Sequence, residues 1–205
     1  MADCEAHTVR WVDYFLYSVY FPLCIVDTHV TTLFSNMCMS YVAEYGGIYV
    51  DTDQVILNPL DKFRDNECTI GLDYTTQAAN SLILAKPKSP FIKLWYESYK
   101  TFSKMDGNKH SQVTPYKLSK RHPEMVKVLD STFSGPNANQ LSNIYARNID
   151  WSKQYGIHMH LKLQQRFYGD KLNLVSIKTM NNTAGAVSRW ILYQNTDMCD
   201  SRIQG

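Results

Sequence analysis

Two glycines, three strand formers and a pair of carboxylates, Gly46-Gly47-Ile48-Tyr49-Val50-Asp51-Thr52-Asp53, constrain this chain more than any other stretch. Ile48, Tyr49 and Val50 predict a short buried strand, because β-branched and aromatic side chains fit a pleated, enclosed surface. Side chains alternate along an extended backbone, so Asp51 and Asp53 point the same way, about 7 Å apart, while Thr52 points the other way. Two small carboxylates at a strand end are hard oxygen ligands suited to Mn²⁺ or Mg²⁺, and such ions keep positions open for phosphate oxygens. Gly46 and Gly47 let a ligand or a second backbone approach closely, or let the chain take φ > 0. A bare Asp-x-Asp can equally end a strand in a solvated turn, so its context must decide.

That context is an ordinary globular composition. With 205 residues, 44% hydrophobic and 20% charged, the chain is long enough for one domain with a real core. Its formal charge of +2 creates no global field to recruit nucleic acid or an anionic membrane, so any phosphate binding must be local. Cys4, Cys24, Cys38, Cys68 and Cys199 show no C-x-x-C spacing, which argues against a zinc site or a redox motif. Trp11 to Val26 is apolar, but Asp13 and Pro22 interrupt it, and its runs fall short of the ~20 residues that span a bilayer. A buried helix or strand pair is expected there instead of an anchor. Asp3 and Glu5 stand where a signal peptide would be basic.

Downstream, strands and helices alternate. Cys68–Leu72 and Asn80–Pro87 predict strands, with a turn over 60–67 before them. Ser89-Pro90 predicts a helix start, and Phe91, Leu94, Trp95, Tyr99 and Phe102 predict its buried stripe. Thr114 is expected to cap a second helix that His122-Pro123 ends. Met125–Leu129 reads as a strand, and Val187, Trp190 and Ile191 read as one face of a terminal helix. Asn181-Asn182-Thr183 is an N-glycosylation sequon. The pattern is α/β, with ligands expected at the carboxyl ends of the strands.

The run from Gly46 to Asp53, followed by Val55-Ile56-Leu57-Asn58-Pro59-Leu60, resembles the D-x-D region of the glycosyltransferases that include α1,4-galactosyltransferase, α1,4-N-acetylglucosaminyltransferase and the yeast initiating α1,6-mannosyltransferase. The resemblance covers about 41–194. It implies a GT-A-like fold and retaining transfer of galactose or N-acetylglucosamine from a UDP-sugar to a glycan or glycolipid acceptor, in the Golgi lumen. It implies a metal held by Asp51 and Asp53, with Gly46 and Gly47 beside the substrate. These relatives carry a Ser-Asp pair, and an Arg three residues on, in the helix before the glycines. Here Ser35 and Cys38 stand at the Asp and Arg positions. The relatives also have a longer N-terminal portion, so residues 1–40 are expected to be a divergent segment and 41–205 the transferase domain, incomplete at its N-terminus.

Three further residues follow from the resemblance, each with a plainer alternative. Asn80 begins a strand where relatives have Asn-Gly or Asn-Ala; its amide could hold the donor sugar or simply shape the strand entry. Ser111 lies in a polar loop that approaches the substrates in several relatives, or is an ordinary loop hydroxyl. His158 matches a histidine that returns to the metal or diphosphate, and neutral imidazole is a fit Mn²⁺ ligand. Otherwise His158 and His160 are two same-face strand residues. A glycosidase built on Asp51 and Asp53 fails on geometry, since neighbours on one strand cannot flank a scissile bond from opposite sides. A nucleotide-sugar-binding remnant without activity is the remaining alternative.

Overall fold

The computed structural model describes residues 23–26, 32–168 and 172–199. The apolar stretch read from Trp11 to Pro22 and the acidic residues near the start lie outside these, as do the side chains of Ser35 and Cys38. The described residues form two compact units, one made of 23–137 with 152–158, the other of 138–151 with 159–199.

The first unit is a mixed α/β layer structure. Its elements are β1 (Leu23–Val26), α1 (Thr32–Tyr45), β2 (Gly47–Asp51), β3 (Gln54–Ile56), β4 (Cys68–Tyr74), β5 (Gln77–Ala85), α2 (Pro90–Ser98), α3 (Thr114–Arg121), β6 (Lys127–Leu129) and β7 (Gly156–His158). Five strands make one sheet in the order β1-β2-β5-β4-β6. β1 pairs with β2 and β4 with β6 in parallel, while β5 runs antiparallel to both β2 and β4. Four strands therefore share a direction, and their carboxyl ends meet the amino end of β5 along one edge.

Alternation distributes the core to both faces. Tyr49, Ile70 and Ile83 pack with Met39 and Val42 of α1 and Phe91, Ile92 and Trp95 of α2. On the other face Val50, Leu82 and Leu84 pack with Leu60, Phe63 and Phe133. Helix α2 corrects one sequence expectation: Ile92 is buried with Phe91 and Trp95, whereas Leu94 is 39% exposed. At 100° per residue, 91, 92 and 95 define the face and 94 falls at its margin. Ser89 holds the N-cap position and Pro90 the first turn, but the Ser89 hydroxyl is buried without a hydrogen bond instead of capping the helix. Thr114 is not a cap either, because a π-helical turn over Lys109–Val113 runs straight into α3. That turn is pinned by the Trp95 indole, which donates to the His110 carbonyl at 2.7 Å.

Gly46 joins α1 to β2. Its N–H donates to the Val42 carbonyl and its φ is 67°, a left-handed residue closing the helix. A Cβ at this position would stand 2.4 Å from the Pro87 nitrogen and 2.7 Å from the Ala85 carbonyl oxygen. Gly46→Ala is therefore expected to cost about 1–3 kcal/mol of stability, from a strained φ and a backbone clash. A thermal melt within experimental error of the wild type would contradict it.

The second unit holds α4 (Leu141–Tyr145), α5 (Leu161–Tyr168) and α6 (Thr183–Tyr193). Asn182 caps α6 by accepting from the Gly185 N–H at 2.9 Å, and its amide donates to the Tyr145 carbonyl. Thr183 of the sequon is buried and donates to the Asn143 carbonyl, while Asn181 is exposed. Among the described residues, no helix is long and apolar enough to cross a membrane.

Candidate metal centre

Asp51 is the last residue of β2 and Asp53 lies in the turn that follows it. Both are buried, with Asp51 8% and Asp53 6% exposed, so this is not the solvated turn that a bare Asp-x-Asp allows. Tyr49 and Asp51 lie two residues apart on the same face of the strand, and the Tyr49 hydroxyl donates to Asp51 Oδ1 at 2.8 Å. The bond fixes one carboxylate oxygen and leaves the other available.

His158 comes to these carboxylates through a second, two-stranded ladder. β3 begins directly after Asp53 and pairs antiparallel with β7, in the register Gln54↔His158, Val55↔Ile157 and Ile56↔Gly156. Pairing His158 with the residue next to Asp53 sets its Nε2 3.1 Å from Asp53 Oδ1. One ligand atom from each of Asp51, Asp53 and His158 lies within 4.8 Å of the others. Gln54 also anchors the ladder to the sheet, since its Oε1 accepts from the Ser81 hydroxyl at 2.8 Å. The strand stops at His158. His160 has a φ of 48°, and its carbonyl accepts from the Leu163 and Gln164 N–H groups at the start of α5, so the two histidines are not a same-face strand pair.

Burial is the main influence on the Asp51 carboxyl, which is pushed up to about 6; the Tyr49 hydrogen bond and the charge of His158 oppose it, and Asp53 adds to it. Two buried carboxylates with a half-buried imidazole beside them make a site whose negative charge favours a cation. The donor set of carboxylate oxygens and one nitrogen, with no thiolate, fits Mn²⁺ or Mg²⁺. Tyr49→Phe, which removes the phenol donor alone, is expected to weaken Mn²⁺ binding about three- to tenfold, the scale of one ordinary hydrogen bond, because Tyr49 orients the ligand and does not itself bind the ion. Unchanged metal affinity in a titration would show that Tyr49 does not orient Asp51.

The other sequence candidates fall in different places. Gly46 and Gly47, with φ of 67° and 113°, sit at the opposite end of β2 from Asp51, with Gly47 about 13 Å away at ~3.3 Å per residue, and serve the helix-to-strand joint. Asn80 lies on the carboxylate edge. β4 and β5 pair Ile70↔Ile83 and then Gly71↔Ala79, so Asn80, Ser81 and Leu82 bulge out of the ladder there. Bulges re-aim side chains and are common beside active sites. The Ser111 hydroxyl donates to the Asn108 carbonyl within its own turn; the side chain that reaches across to the sheet from this turn is Gln112.

Gln112 meets Asp73, which the sequence reading passed over. Asp73 lies near the carboxyl end of β4, and its Oδ2 accepts from Gln112 Nε2 at 2.9 Å. Burial pushes its carboxyl up to about 6, against the influence of His158 and the Gln112 hydrogen bond. A signal was present: Ile70-Gly71-Leu72-Asp73 ends a strand in a carboxylate, as Tyr49-Val50-Asp51 does. A separate open groove of about 1000 Å³, bordered by Lys62, Lys127, Asp130 and Tyr155, includes none of these residues.

The chain is similar to a protein described as glucan organizing enzyme 1 from Cryptococcus neoformans var. grubii. The two are 29% identical over an alignment of 160 residues that covers 70% of this chain and 43% of that protein. The chain thus spans less than half the length of this curated relative. No family model matches the sequence, and no solved structure matches the chain.

Proposed function

We propose that this chain is a metal-dependent glycosyltransferase domain with a GT-A-like sheet. It moves a hexose, galactose or N-acetylglucosamine, from a UDP-sugar to a glycan or glycolipid with retention of configuration. The observation that carries the reading is the convergence of Asp51, Asp53 and His158, from two separate ladders, at the carboxyl edge of an α/β sheet. The relative's description as a glucan organizing enzyme supports a carbohydrate-active protein, and the motif resemblance supports transfer from a nucleotide sugar.

Leaving-group departure puts negative charge on the diphosphate, and a bound divalent cation would supply Lewis-acid stabilisation of that charge. The chain's own residues do the rest. Asp51 and Asp53 would hold the cation with two formal charges. Tyr49 keeps the Asp51 carboxylate turned to the site, and His158 presents its Nε2 beside Asp53. Gln54 and Ser81 keep the His158 ladder docked on β5, so the site is set by secondary structure and not by a free loop.

The test combines calorimetry of UDP binding, with and without Mn²⁺, and NMR of the sugar released or transferred from UDP-galactose and UDP-N-acetylglucosamine. Mn²⁺-dependent binding with an α-configured product supports the transferase. Metal-dependent binding without sugar release or transfer selects an inactive binding protein, and binding of UDP equally well without metal overturns the site.

A further inference from the structure

We propose that Asp73, steadied by Gln112, accepts a hydroxyl group of the donor hexose and makes the end of β4 the sugar-reading side of the site. The inference rests on the transferase reading above. It starts from topology: β2, β5 and β4 are neighbours in that order, and β2 and β4 run the same way. Asp73 therefore lies on the same edge as Asp51, two strand spacings or about 10 Å along it. A diphosphate bound at Asp51 and Asp53 would have its sugar as the next group outward, and Asp73 is a carboxylate on that same edge of the sheet. Between them β5 shifts its register against β4 over Asn80–Leu82, the kind of irregularity that re-aims side chains beside a site.

The bracing of Asp73 is unlike that of a solvated surface carboxylate. Gln112 Nε2 holds Oδ2, and Asn137 Nδ2 holds the Asp73 backbone carbonyl at 2.7 Å. Gln112 is itself fixed, because Asn108 Nδ2 donates to its Oε1 at 2.9 Å and to Gln77 Oε1 at 3.0 Å. Three amide side chains thus set the orientation of one aspartate, while its Oδ1 carries no hydrogen bond among the described residues. An oriented carboxylate with one open oxygen can only accept, so its complement is an O–H donor. The diphosphate is acceptor-rich and would be repelled, so the matching donors of a UDP-sugar are its hydroxyls, and the comparison of UDP with UDP-hexoses below separates those of the hexose from those of the ribose.

The experiment compares Mn²⁺-supported binding of UDP, UDP-galactose, UDP-glucose and UDP-N-acetylglucosamine by the wild type, Asp73→Asn and Gln112→Ala. Asp73→Asn keeps the shape and the bond from Gln112 but loses the charge. It is expected to bind UDP within about twofold of the wild type and the preferred UDP-hexose about tenfold more weakly, the scale of a hydrogen bond to a charged group. Gln112→Ala should shift the same ligand in the same direction by a smaller factor. Equal weakening of UDP and UDP-hexose would make Asp73 structural and overturn the proposal, as would an unaltered preference among the hexoses. Failure of the wild type to bind UDP with Mn²⁺ would overturn both this and the transferase reading. Intact UDP binding with unchanged hexose preference would overturn only this one.

Discussion

Asp53→Ala is expected to remove Mn²⁺-dependent UDP binding, with a Kd at least about ten- to a hundredfold higher than the wild type. The scale follows from losing a charged ligand, about 1.5–3 kcal/mol where each 1.4 kcal/mol is a factor of ten. His158→Ala should weaken binding less, because it removes a neutral donor whose place water can take. It also strips Asp53 of its 3.1 Å partner, so the effect should still exceed threefold. His160→Ala should leave binding unchanged. The measurement is calorimetry at neutral pH with excess Mn²⁺ and with chelator. Wild-type affinity retained by Asp53→Ala would remove the metal centre, and wild-type affinity retained by His158→Ala would reduce it to the two carboxylates.

Local rules made Asp51 legible, and they stopped at Asp53. Alternation along Ile48-Tyr49-Val50-Asp51 needs only neighbouring residues, and the sheet buries Tyr49 on one face and Val50 on the other. The arrival of His158 rests on two three-residue strands that pair about a hundred residues apart, and it brings together side chains separated by 105 in the sequence. Neither strand is long enough to announce itself by periodicity, so only the family resemblance pointed to the histidine. Asp73 was hidden for a different reason. The strand expected over Cys68–Leu72 runs on through Asp73 to Tyr74, and whether its carboxyl end meets that of β2 depends on β5 inserting antiparallel between them, an order no local pattern encodes. The glycines show the converse. Their positive φ was readable, yet the requirement came from the backbone of Lys86 and Pro87 and not from a ligand. The distinction between Gln112 and Ser111 likewise lay in a π-helical turn, which shifts the direction of successive side chains.

Asp51→Asn is expected to stabilise the metal-free protein at pH 7 while removing its response to Mn²⁺ and UDP. An aspartate carboxyl in an unfolded chain titrates near ~3.9. In the fold that of Asp51 is raised to about 6, chiefly by burial. A carboxyl whose folded pKa is raised contributes stability that is fully present below the unfolded value and is lost as pH rises through the folded one. Between about pH 4 and 6 the metal-free protein should therefore lose stability on this account, and Asp73, shifted the same way to about 6, adds to the loss. A shift of about two units corresponds to at most ~3 kcal/mol for Asp51, and the nearby His158 charge is already set against it. For a chain of this size, 1–3 kcal/mol is a Tm change of roughly 2–12 °C. The neutral amide keeps a bond from Tyr49 without the buried charge, so the melting profile of Asp51→Asn in chelator should be higher at pH 7 and flatter between about pH 4 and 6. Adding Mn²⁺ and UDP should raise the wild-type Tm and leave that of the variant in place, because only a folded state that binds them gains from mass action. A variant less stable than the wild type in chelator at pH 7 would mean that the ionised carboxylate is already compensated within the fold. The case for a cation at this edge would then rest on the binding data alone.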